Sequence, residues 1–204
     1  MITVVVASYR YGHLASHCIE SLLSQTRPPD HIIFGDDGVG DCNHLPKLYP
    51  NIEYVLREKN LGTVKNFQDL LMRVKTDKCL FLGADNWLRS DALEALDQPN
   101  TDIVTYDWTV TGELKDSFTS KLFNNDRTPY QGDWYVKRNG LHHGSMLYNT
   151  QLAQQLGYDR YPNKRNPEED LVLWDRMIKA GATVTYIPEG FLYYRRHKEN
   201  FIKF

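Results

Sequence analysis

Long apolar runs are missing from this sequence. No stretch approaches the about 20 apolar residues that a membrane-crossing helix needs. The opening Ile2-Thr3-Val4-Val5-Val6-Ala7 is too short for the apolar part of a secretory signal and has no basic flank. These absences predict a soluble, cytoplasmic protein and leave open peripheral contact with a membrane surface. Charge of one sign is not in excess either. With 24 basic and 26 acidic side chains the formal net charge is -2, so there is no global field to hold nucleic acid, and binding must rest on local sites. Cysteine is scarce. Cys18, Cys42 and Cys79 are odd in number, widely spaced and form no C-x-x-C pair. That argues against a disulfide framework or a zinc site and fits a reducing compartment. Glycine loops that cradle phosphate are absent, with no G-x-x-x-x-G-K-[ST] and no G-x-G-x-x-G after the first apolar run. Repeats and linker-like composition are missing too, and 204 residues then predict one domain.

What is present is alternation. Ile2 to Ala7 is a β-branched run of the kind buried on both faces of a parallel sheet. Leu14, Cys18, Ile19, Leu22 and Leu23 then recur at helical spacing before Pro28-Pro29, and His31 to Phe34 is a second strand. The pattern repeats with a strand over 52–56, a helix carrying Val64, Phe67, Leu71 and Val74, and a strand over 78–82. Asp91 can cap a short helix through Leu96, and 102–106 is another strand. Residues 107–143 show poor periodicity and predict hairpins and loops, in part mobile. Order returns with a strand over 144–148, helices over 151–156 and 167–180, and a strand over 183–187. The fold class is therefore α/β, a mostly parallel sheet flanked by helices with a smaller antiparallel or irregular part. Residues 1–106 and 107–204 then form the two halves of a single domain.

Parallel sheets of this kind bind ligands beyond the carboxyl ends of their strands. The residues there are Ser8-Tyr9, Asp36-Asp37-Gly38 and Gly83-Ala84-Asp85-Asn86. Each alone reads as a turn. Together they bring carboxylates to one edge, and Asp85 after a buried strand calls for a hard cation, Mg²⁺ or Mn²⁺, which would also bridge a diphosphate. Further on, Asn166, Pro167 and Glu169 read as helix cap, first helical residue and capping-box partner. Asp170 lies three, four and seven residues before Leu173, Trp174 and Met177, on the apolar side, where a carboxylate needs either partners or a task. The tail Tyr193-Tyr194-Arg195-Arg196-His197-Lys198 is either a solvated basic stretch or a flap over an anion. His142-His143 is a poor metal pair, because neighbouring side chains in an extended segment point apart.

These residues resemble the family 2 glycosyltransferases of the GT-A fold, a Rossmann-like architecture, over nearly the whole chain. The resemblance is carried in order by Val5 to Arg10, Ile19 to Thr26, Asp36-Asp37-Gly38, Asn60-Leu61-Gly62 with Val64-Lys65-Asn66, and Leu82 to Asn86 at the place of the D-x-D motif. Glu169-Asp170 with Leu173-Trp174 and Arg176, Ile187-Pro188-Glu189, and Tyr194 to His197 complete it. The resemblance implies a nucleotide-diphosphate sugar donor, commonly UDP-linked, and a hydroxyl-bearing acceptor. It places the nucleoside against Ala7, Ser8 and Tyr9, with Asp36 accepting from the base and Lys65 near base or phosphate. Ala84, Asp85 and Asn86 belong to the same site, with Asp85 and His197 at the metal. Asp170 is implied to be the general base of an inverting displacement, with Glu169 on the acceptor side. Trp134 and His143, with Trp108 and Tyr135, are acceptor candidates in the irregular region, although such aromatics also pack on sheets.

Two departures stand out. Gly83 replaces the first acid of D-x-D, and the Q-x-x-R-W segment of processive synthases is missing, which favours transfer of one sugar. Two other functions compete with this one. A nucleotidyltransferase would need a glycine-rich basic loop after the first strand, and Ser8-Tyr9-Arg10-Tyr11-Gly12 is not that loop. A non-catalytic sugar-nucleotide or glycan-binding module would account for Gly83 but leave Asp170 without a task.

Overall fold

The computed structural model describes residues 1–137, 146–158 and 169–200. Its first half alternates strand and helix: β1 (Ile2–Ser8), α1 (Gly12–Leu23), β2 (His31–Asp36), a single turn α2 (Leu45–Leu48), β3 (Glu53–Leu56), α3 (Thr63–Arg73) and β4 (Lys78–Gly83). Then come β5 (Trp87–Leu88), α4 (Ala92–Asp97), β6 (Ile103–Thr111), α5 (Lys115–Leu122), β7 (Arg127–Tyr130), β8 (Asp133–Val136) and β9 (Met146–Asn149). Helices α6 (Thr150–Leu156) and α7 (Glu169–Lys179) and the strand β10 (Val184–Arg195) complete it. No helix among the described residues is long and apolar enough to cross a membrane.

The strands form one sheet in the order β3-β2-β1-β4-β9-β6-β10-β5, with the β7–β8 hairpin added beside β6. Pairing is parallel from β3 to β4 and again between β6 and β10. Strand β9 runs antiparallel to both β4 and β6, which makes β6 parallel to β4. The carboxyl ends of β1, β2, β4, β6 and β10 therefore share one edge. Each face of the sheet carries its own core. One packs Val4, Val6, Leu80, Leu82, Tyr106 and Trp108 against Ala15, Cys18, Ile19 and Leu22 of α1. The other packs Val5, Phe81, Ile103, Met146 and Tyr148 against Leu70 and Leu71 of α3 and Leu173 and Met177 of α7. Full burial of such side chains stabilises by about 1.5–3 kcal/mol each, and the two-sided burial of β1 is what its unbroken β-branched run predicts.

The largest departures from the sequence reading lie after residue 106. Strand β6 continues to Thr111, so the 106/107 boundary falls inside it, and the supposedly loop-rich stretch holds helix α5. Strand β10 is longer than the 183–187 stretch and passes through Pro188 and Gly190 with two register shifts against β6. A proline and a glycine normally end a strand, but bulges let the ladder resume beyond them. Asp91 precedes α4 without capping it by its side chain. Its carboxylate pairs with Arg89 instead, at 2.6 and 2.9 Å.

Candidate functional site

The carboxyl edge gathers Ser8, Asp36 and Asp37, the Gly83–Asn86 turn, Gly112 and the tail beyond Arg195. Ser8 is buried and its hydroxyl lies 3.5 Å from the Cys42 thiol, while Tyr9 stays exposed with the Arg10 guanidinium 5.0 Å from its ring centre. Asp36 is fully buried. Its oxygens accept N–H bonds from Val39 at 3.0 Å, Gly40 at 3.1 Å and Cys42 at 3.4 Å, and the Tyr54 hydroxyl at 3.1 Å. Asp37 accepts from Leu61 N at 2.8 Å and Gly62 N at 3.2 Å, tying down the loop that leads into α3, where Lys65 is exposed on the first turn. Asp36 and Asp37 thus hold the two rims of the cleft. Gly38, directly after them, has φ 82° and no room for a side chain, since a Cβ would stand 2.4 Å from the Lys59 carbonyl carbon.

Among the described residues the three-residue group with metal-ligand geometry is Asp36, Asp41 and Cys42. Its chemistry argues against a cation there. The Asp36 oxygens are already claimed by N–H and O–H donors, and burial pushes the Cys42 thiol up to about 12, so it stays protonated.

Asp85 sits differently. Its Oδ2 meets His197 Nε2 at 3.2 Å and accepts from Asn200 Nδ2 at 2.9 Å, and its side chain is nearly buried. Asn200 also takes the His197 backbone N–H at 2.7 Å, and Asn86 Oδ1 takes that of Arg195 at 2.9 Å. The tail is thereby clipped onto the end of β4, bringing together Asp85 and His197, 112 residues apart in the chain. Two ligands about 2.1 Å from a cation and at right angles to it stand about 3 Å apart. If a cation were bound here, Asp85 and His197, which have that spacing as well as a hydrogen bond between them, would be the side chains to hold it. Gly83 cannot supply more: a Cβ there would lie 2.7 Å from Asp85 Oδ1 and 2.9 Å from Asn86 Nδ2, so these two side chains fill the place of the missing acid.

Beside this pair opens a cavity of about 510 Å³, lined by α1, Trp87, Gly112 and the tail. Arg195 lies in it, its guanidinium 4.8 Å from the Trp87 ring centre and Nη2 2.7 Å from His17 Nδ1. Burial holds Arg195 below its usual pKa while Asp85 pulls the other way, and burial with Arg195 nearby lowers His17. A neutral His17 accepts that bond.

On the opposite face, Ile103 N bonds Thr183 O and Ala182 N bonds Met177 O, so the last turn of α7 sits at the amino end of β6. Glu169 and Asp170 are on the first turn, at the other end of α7. Its 11 residues rise about 16 Å, matching some five residues of strand. The side chains of Glu169 and Asp170, and all of His142 and His143, lie outside the described residues. Arg176 docks α7 by donating to the carbonyls of Leu156, at 3.2 Å, and Gly157. On this face Asp107 is fully buried, and its Oδ2 accepts the hydroxyls of Tyr135 and, at 2.7 Å, Tyr186. Burial and the neighbouring carboxylate raise Tyr135 far above the usual phenol value. Trp134 belongs to the other face: it packs with the α1-side core, gives its indole N–H to Asp116 at 2.7 Å and stacks on Arg127. The structure thus gathers Ala7, Ser8, Tyr9, Asp36, Ala84, Asp85, Asn86 and His197 on one edge and sets Trp134 apart from α7. Asn200 and Asp107 were missed, while Arg195 was read only as one of the tail's basic side chains. The three-residue step from His197 to Asn200 is the one local signal that pointed to the first of them.

The model for glycosyl transferase family 2 matches residues 3–157. A poly(ribitol-phosphate) beta-glucosyltransferase of Bacillus spizizenii is 31% identical over 102 residues, 45% of this chain and 16% of that protein. Among solved structures, S. aureus TarS 1–349 superposes with a TM-score of 0.72 at 15% identity, over 95% of this chain and 60% of that one. The same fragment in complex with UDP-GlcNAc gives 0.69 at 16% identity, over 98% of this chain and 59% of the other. This likeness confirms the GT-A fold. The chain spans about three fifths of those structures and a sixth of the curated relative.

Proposed function

The chain belongs to glycosyl transferase family 2, and from that premise we propose that it moves one sugar from a UDP-linked donor to an acceptor hydroxyl with inversion at the anomeric carbon. The observation that carries this is the Asp85–His197 pair, held at the carboxyl edge beside Ser8 and Asp36. The UDP and UDP-GlcNAc complexes of the TarS fragment support the nucleotide and an N-acetylglucosaminyl group, and the named activity of the Bacillus relative supports a glucosyl group.

In this reading the nucleoside lies against Ala7, Ser8 and Tyr9, on the rim that Asp36 and Asp37 hold, with Lys65 at its open side. Asp85 and His197 hold Mn²⁺ or Mg²⁺, which when bound neutralises charge on the diphosphate. Asp170, at the first turn of α7, takes the proton of the acceptor hydroxyl as its oxygen attacks the anomeric carbon and the nucleoside diphosphate departs. The sugar acquires oxocarbenium character between them, and no second carboxylate is needed as nucleophile. Glu169, His143 and Tyr135 are placed on the acceptor side, and a polyol-phosphate chain is the acceptor class the Bacillus relative suggests.

The test is release of UDP from UDP-glucose and UDP-GlcNAc with Mn²⁺, for the parent and Asp85→Ala. The parent turns over one donor, and the variant loses turnover together with metal-dependent UDP binding. Binding of UDP with no turnover of any donor would point instead to a sugar-nucleotide-binding module.

A further inference from the structure

The cavity beside the tail shares little with the donor site. Its walls are His13 and Leu14 of α1, Trp87, the Thr111–Glu113 turn and residues 195–199, and of the residues assigned to donor or metal only His197 is among them. His197 is a partition, with Nε2 on Asp85 and its ring edge-on to Tyr11, 5.6 Å between ring centres. Arg195 is the residue the donor reading leaves unexplained. Its guanidinium is half-buried, flat on Trp87, and directed by one bond to an uncharged imidazole, and no carboxylate lies within ion-pair distance of it among the described residues. A guanidinium with free N–H groups in a pocket is preorganised for a planar or tetrahedral oxyanion. A sugar ring is a poor occupant. Trp87 is covered by Arg195, by Tyr193 at 5.1 Å and by His17 at 4.6 Å, which leaves no bare aromatic face for stacking. Lys198 is exposed at the mouth, so one more cationic group can turn toward an anion, and His13, 3.6 Å from Glu199, brings a ring nitrogen to the same wall.

We propose that this cavity is an oxyanion site distinct from the donor's diphosphate, with Arg195 as its clamp and a phosphate group as its ligand. The phosphate is either free or part of a phosphodiester-bearing acceptor. In the second case the site would hold one phosphate of the acceptor on the α1 face while another segment reaches α7. The site itself stands whether or not the donor reading is right.

The test is calorimetric titration of the full chain with inorganic phosphate at fixed ionic strength, without divalent metal, and again with the protein saturated by UDP and Mn²⁺. Phosphate should bind in both cases, and Arg195→Gln should weaken it by at least about tenfold, the worth of one charge-assisted hydrogen bond. Arg195→Gln should leave UDP affinity unchanged. Because removing Arg195 bares Trp87, the exposed changes Lys198→Gln and His13→Ala serve as a second pair, each expected to weaken phosphate about threefold without lowering the melting temperature. Tighter binding of glycerophosphoglycerol than of phosphate assigns the site to an acceptor diester, and equal or weaker binding assigns it to free phosphate. Loss of phosphate binding on saturation with UDP, or no effect of any of the three substitutions, overturns the proposal.

Discussion

Replacing Gly83 by aspartate writes the missing acid back into D-x-D, and the close contacts at that position predict a less stable protein. The Cβ alone would stand 2.7 Å from Asp85 Oδ1 and 2.9 Å from Asn86 Nδ2. Both are short, nearly buried side chains held by His197, Asn200 and Arg195. Neither can swing away without breaking a bond that clips the tail. Overpacking of this kind costs about 1–3 kcal/mol, or roughly 2–12 °C in melting temperature for a domain of this size. The second carboxylate adds like-charge repulsion in a poorly solvated site. Gly83→Ala isolates the steric part and should show most of the loss. In thermal unfolding with millimolar Mn²⁺, Gly83→Asp should recover several degrees because two carboxylates can then share one cation, and Gly83→Ala, with one, should recover less. A metal-free Gly83→Asp protein that melts with the parent would refute the steric argument. A Gly83→Asp protein that gains no more from Mn²⁺ than Gly83→Ala would refute the link to metal.

Asp170→Asn should lower the rate of transfer by about 10²–10⁴, the usual worth of a positioned base, while UDP binds as before; transfer at the parental rate would remove Asp170 from the mechanism. Tyr135→Phe takes a hydroxyl from the buried Asp107 carboxylate and should cost about 1–3 kcal/mol in urea unfolding. A loss under about 0.5 kcal/mol would mean that Tyr186 alone satisfies Asp107. Asp102 is held below the usual carboxylate range, first by the Thr183 backbone N–H and then by its hydroxyl. A depressed folded pKa gives stability that is present above the unfolded value, about 3.9, and lost as pH falls through the folded one. Asp102→Asn should therefore be less stable than the parent at pH 7 and equal to it near pH 2, and a gap that persists in acid would contradict the assignment.

The first half of the chain was legible because its signals are of one kind. Strands buried on both faces demand uninterrupted apolar runs, as in Ile2 to Ala7, and the turns after them carry the polar groups. Beyond residue 106 that logic fails. Strand β6 places Thr105, Asp107 and Thr109 on one face, and Asp107 is tolerable there because two tyrosine hydroxyls arrive from β8 and β10, residues far away in sequence. Helix α5, Lys-Asp-Ser-Phe-Thr-Ser-Lys-Leu, has weak intrinsic propensity and forms where Phe118 docks among Phe123, Tyr194 and the Arg196 guanidinium. The Asp85–His197–Asn200 clip depends on the tail folding back along the whole edge, which local spacing does not encode. Trp134 was singled out for being aromatic, and only the pairing of Val110 with Trp134 tells which face it takes.

Strand β10 joins the turn after α7 to the tail that clips onto Asp85, and its ladder with β6 slips twice around Gly190. Side-chain alternation restarts at each slip, so a residue gained or lost over 188–189 would not turn either half of the strand inside out. A one-residue change in chain length would be absorbed at that joint without altering the contacts of either end of the strand.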